Sequence, residues 1–66
     1  MTELFPIGID EQIACVEREI ALRRRVYPRR IADRKMTQQL ADRQLAAMSA
    51  ALHTLLFVRD NNGHQR

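Results

Sequence analysis

With no tryptophan, one tyrosine, two phenylalanines, two glycines, two prolines and one cysteine among its 66 residues, the chain excludes several architectures at the outset. A lone Cys15 cannot form a disulfide within the chain, and a free thiol suits a reducing compartment, so a cytoplasmic location is expected. A metal is not expected either, because His53, His64 and Cys15 share no ligand spacing. No apolar run approaches the roughly 20 residues a bilayer span requires. The opening MTELFPIGID lacks the basic and apolar regions of a secretory signal. With no glycine-rich phosphate loop, paired carboxylates or nucleophile–base set, the sequence predicts no catalysis, cofactor or small-molecule substrate. Cys15 lies near Glu11 and Glu19, which disfavour a thiolate, and reads as a small packed residue. His53 reads as a solvated helix residue.

Sixty-six residues make one domain at most, and chains this small commonly need a disulfide, a metal or a second copy of themselves. With the first two set aside, self-association is the expectation.

Charge is abundant but unevenly placed. The net charge is +3, yet residues 1–22 sum to −4 and residues 23–35 to +6, with +1 over the remainder. The positive character is concentrated in ALRRRVYPRRIADRK at 21–35.

The residues present are helix formers: Ala, Leu, Arg and Gln dominate the middle of the chain. Pro6 and Gly8 mark an irregular N-terminal arm over 1–9. Asp10 is placed to cap a first helix over about 10–33. Ile13, Val16, Ile20, Tyr27 and Ile31 fall on one face of it. Arg23 and Arg24 edge that face, where their stems can pack. Pro28 removes one helical hydrogen bond and predicts a kink near that point. A turn at Asp33–Met36 follows. Thr37 is then the N-cap of a second helix over about 37–59, with Met36 and Ala41 at staple positions. Ala41, Leu45, Met48, Leu52 and Leu55 form its heptad-like seam. The DNNG run predicts the end of that helix, leaving 60–66 as a frayed tail. The expected fold is all-α, an antiparallel helical hairpin.

Each helix also carries a second apolar strip: Cys15, Leu22 and Val26 on the first, Leu40, Ala47, Ala51 and Val58 on the second. One hairpin buries one strip per helix, so the second strips call for another surface. A homodimeric four-helix bundle is the simplest way to cover them. Candidate core or dimer residues are therefore Ile13, Val16, Ile20, Leu22, Val26, Leu45, Met48, Leu52 and Leu55. Candidate partner-binding residues are Arg18, Arg25 and Arg29 on one face of the first helix, Tyr27 beside them, and Phe57. Phe57 is either covered by the arm Leu4-Phe5-Pro6-Ile7 or presented as an aromatic anchor. The arginine face has three readings: a solvated or intersubunit face, a dock for an acidic protein, or a phosphate-tracking surface for nucleic acid.

The run IACVEREIALRRRVYPRRIADRKMTQQLADRQLAAM resembles short proteins encoded in phages and prophages of proteobacteria. These join an Arg-rich VYP helix to an Ala-rich helix through a basic, Met-containing turn. The resemblance covers about residues 12–48 and rests most on RRRVYPRR and on Met36-Thr37. Asp33-Arg34 stands where such proteins commonly have a glycine. The resemblance implies a non-enzymatic modulator, typically an inhibitor, that works as a dimer on a host regulator or defence component.

Overall fold

The computed structural model describes residues 6–63, and among them the chain is two helices and no strand: α1, Ile9–Ala32, and α2, Gln38–Gly63. They pack against each other as a hairpin.

Helix α1 begins one residue before the expected cap. Gly8 occupies the N-cap in an extended conformation, and its carbonyl accepts from Gln12 N at 3.1 Å. Asp10 therefore sits inside the first turn and not at the cap. Its carboxylate still favours the positive end of the helix dipole there, and it meets Arg59 Nη1 across the open end of the hairpin at 3.4 Å. Gln12 Nε2 donates to the Ile7 carbonyl at 3.0 Å, tying the approach segment to the first turn.

Pro28 lies inside α1 and does not end it. The proline leaves the Arg24 carbonyl without its helical donor, but Arg24 is exposed, so water can satisfy it. The helix continues because Ile31, a turn beyond, is half-buried on the side already set by Ile20 and Tyr27.

The end of α1 is a Schellman arrangement. Asp33 N donates to Arg29 O, Arg34 N to Ile31 O and Lys35 N to Arg30 O, all at 2.9–3.0 Å. This closure requires a left-handed residue, and Arg34 supplies it with φ of 62°. Three residues after Arg34, Thr37 caps α2 as its type predicts, its Oγ1 accepting from Leu40 N at 3.0 Å. Half-buried Met36 and buried Ala41 occupy the staple positions.

Helix α2 runs on to Gly63, four residues past the expected end at 59. The DNNG run does not stop it: Asn61 Nδ2 turns back to the Phe57 carbonyl at 2.7 Å, a bond made along the helix. Residues 60–63 are thus helical, while 64–66 of the expected tail lie outside the described residues, as do 1–5 of the expected arm.

The seam follows the heptad rhythm. Ile13, Ile20 and Tyr27, seven residues apart, are buried along α1, and Ala41 is buried on α2 at the closed end. Val16 and Ile31 on α1, and Leu45, Met48, Leu52 and Leu55 on α2, are half-buried beside them. Four buried residues among those described make a small core even for a chain of this length.

Candidate partner-binding surfaces

The charged segment divides by helical phase. Arg23 turns inward along the seam: its Nε donates to Glu19 Oε1 at 3.0 Å and its Nη1 to the Tyr27 hydroxyl at 3.0 Å. That hydroxyl donates in turn to Gln44 Oε1 on α2 at 3.1 Å. A relay Glu19–Arg23–Tyr27–Gln44 therefore crosses from one helix to the other. The Tyr27 contact, and then Glu19, hold the Arg23 guanidinium pKa above its ordinary value.

Tyr27 is accordingly a core residue and is not presented to a partner: its ring is 7% exposed and its hydroxyl is committed. This corrects its place among the partner-binding candidates and removes it as a platform for a base. No sequence signal pointed to Gln44, which reads as one glutamine among several until the tyrosine is seen to reach it.

Arg18, Arg25 and Arg29 are exposed on the outward face of α1. Arg18, Leu22 and Arg25 line one shallow groove there. Arg29 approaches Asp33 only at 4.0 Å, with its side chain 84% exposed. Such a pair is worth little in water, and Arg18 and Arg25 have no ion pair among the described residues. The three guanidinium groups are thus available to a ligand with several negative charges. Arg24, Arg30, Arg34 and Lys35 are also exposed, which makes the closed end of the hairpin basic.

The remaining apolar candidates separate into two sets. Ile13, Val16, Ile20, Leu45, Met48, Leu52 and Leu55 belong to the seam between α1 and α2. Leu22 and Val26 do not: they are 42% and 38% exposed, as the second strip on α1 predicts. Leu40 and Val58 on α2 are likewise 47% and 38% exposed, and Ala47 and Ala51 are open between them. Cys15 is exposed, correcting the expectation of a packed thiol. It lines an apolar groove at the open end with Ile7, Val16 and Leu55. Phe57 is 68% exposed. Ile7, the described apolar member of the arm, lies in that groove and leaves Phe57 open, whereas Leu4 and Phe5 are outside the described residues. His53 is exposed, as expected of a solvated helix residue.

No group of acids, histidines and cysteines among the described residues could hold a metal ion. No described helix is long and apolar enough to cross a membrane. Compared with known proteins, the chain matches no family model, no curated protein and no solved structure.

Proposed function

We propose that this chain is a non-enzymatic, phage-type binding protein of the bacterial cytoplasm that acts as a homodimeric four-helix bundle. Its role is to bind and inhibit a host protein, such as a transcription regulator or a defence component, through the arginine face of α1. One observation carries the reading: Arg18, Arg25 and Arg29 stand together on the outward side of a helix whose other face is packed, and among the described residues no strong ion pair neutralises their charges. Arginines held on a rigid helix suit bidentate contacts to carboxylates. The resemblance of residues 12–48 to phage accessory proteins supports the host-directed role, and the exposed second strip of α2, with Leu40 and Val58, supports the dimer.

A second reading, nucleic-acid binding by the same face, draws on the seven cations gathered in residues 23–35. With Tyr27 inside the hairpin, that reading rests on phosphate contacts alone. It requires affinity that falls with salt at a log–log slope on the order of −3 for three or four phosphates.

Affinity capture from host lysate, with and without nuclease, separates the two. Wild type is compared with Arg25→Glu plus Arg29→Glu, whose exposed positions leave the helices intact by circular dichroism. The protein reading expects a nuclease-resistant partner that the charge variant loses. A partner retained by the variant would place binding elsewhere, and one lost on nuclease treatment would favour nucleic acid.

A further inference from the structure

Resting on the homodimer reading above, we infer that the second copy docks along the outer strip of α2, antiparallel, about a two-fold axis crossing the strip at the height of residue 49. The strip is self-complementary about that point. Leu40 stands nine residues before Ser49 and Val58 nine after; Ala47 stands two before and Ala51 two after. An antiparallel pairing therefore sets Leu40 of one protomer against Val58 of its partner at both ends, with Ala47 against Ala51 at the centre. Large meets large and small meets small. The alanines allow the two backbones to approach closely while the larger side chains close the ends.

The polar residues of the strip fit the same register. Gln44 and Thr54 lie five residues either side of Ser49 and face each other across the seam. Gln44 Oε1 is engaged by Tyr27 within its own hairpin, which leaves its amide N–H groups as donors. The Thr54 hydroxyl gives its hydrogen to the Ala50 carbonyl at 3.1 Å and keeps lone pairs to accept.

Charge selects the orientation. The closed end of each hairpin carries Arg29, Arg30, Arg34 and Lys35 against Asp33, whereas the open end carries Asp10, Glu11 and Asp60 against Arg59 among the described residues. An antiparallel dimer lays each basic end beside its partner's acidic end. A parallel one would bring the two basic ends together, a like-charge juxtaposition that disfavours assembly. The arginine face of α1 then points away from the seam on both protomers and is displayed twice.

Two cysteine variants in a Cys15→Ser background test the seam. Ala47→Cys and Ala51→Cys are unfolded, mixed in equal amounts, refolded together and oxidised, and each is also treated alone. A disulfide needs Cα atoms within roughly 7 Å, so the mixture is expected to cross-link at least about tenfold faster than either variant alone. Light scattering of wild type is expected to give twice the 7.7 kDa chain mass. A single-chain mass throughout the micromolar range overturns the dimer and this seam together. A dimer in which either cysteine pairs with itself as fast as in the mixture overturns the antiparallel register, as does a dimer that never cross-links; both outcomes leave the dimer reading standing.

Discussion

At Arg34 the backbone takes a left-handed conformation that glycine adopts freely and a side chain resists by about 1–2 kcal/mol. The residue is held there by the two closing bonds from Arg34 N and Lys35 N to the last turn of α1. Replacing it relieves the clash but loosens the unfolded chain, an opposing effect of about 0.4–1 kcal/mol. Arg34→Gly is therefore expected to stabilise by about 0.5–1 kcal/mol, read as a higher urea midpoint at unchanged slope. A lower midpoint would show that the Arg34 side chain makes contacts worth more than the strain. Tyr27 offers the opposite case, since its hydroxyl links Arg23 to Gln44 across the seam. In Tyr27→Phe the ring stays packed, Arg23 keeps Glu19, and Gln44 is exposed enough to turn to water. The expected loss is about 1 kcal/mol, the net worth of an ordinary hydrogen bond. Equal urea midpoints for the two proteins would mean that the relay contributes nothing to holding the helices in register.

At the scale of the element, α1 is a helix maintained against its own proline. An interior proline costs a helix about 3 kcal/mol relative to alanine, and here packing of Tyr27 before it and Ile31 after it outweighs that cost. Pro28 is itself exposed. Pro28→Ala is expected to raise stability by about 1–3 kcal/mol, restoring the donor that the Arg24 carbonyl lacks. A destabilised Pro28→Ala in thermal melts would mean that the seam depends on a bend the proline imposes. Helix α2 has the reverse character: apolar residues surround it, with Leu40 and Val58 on one side and Phe57 on another. A helix clothed this way is suited to contacts on more than one side.

At the scale of the molecule, the described residues include four buried and six exposed large apolar ones, a hairpin whose own seam satisfies only part of its apolar surface. If the outer strips are covered by a second copy, folding and association are linked, and stability depends on concentration. The melting temperature is then expected to fall by about 3–5 °C for each tenfold dilution. A melting temperature that does not move over a hundredfold range would contradict that coupling.

Much of the hairpin was legible in the residues themselves. The heptad positions Ile13, Ile20 and Tyr27, the seam from Ala41 to Leu55 and the Thr37 cap all follow from spacing and side-chain chemistry, which act over one or two turns. Local signals failed where they competed with something stronger. Asp10 was displaced as a cap by Gly8, two residues earlier in the chain, and DNNG did not stop α2, where Asn61 bonds back along the helix. The candidate surfaces were legible only as faces. Helical phase groups Arg18, Arg25 and Arg29, puts Tyr27 on the packed face and Cys15 on the outer strip, but it could not decide that Gln44 receives the tyrosine hydroxyl. Periodicity alone thus determined two amphipathic helices and the side each buries. The pairing of Tyr27 with Gln44, 17 residues away, was decided only when the tertiary structure set the register of one helix against the other. That register depends on contacts between residues far apart in the chain, which no local pattern encodes.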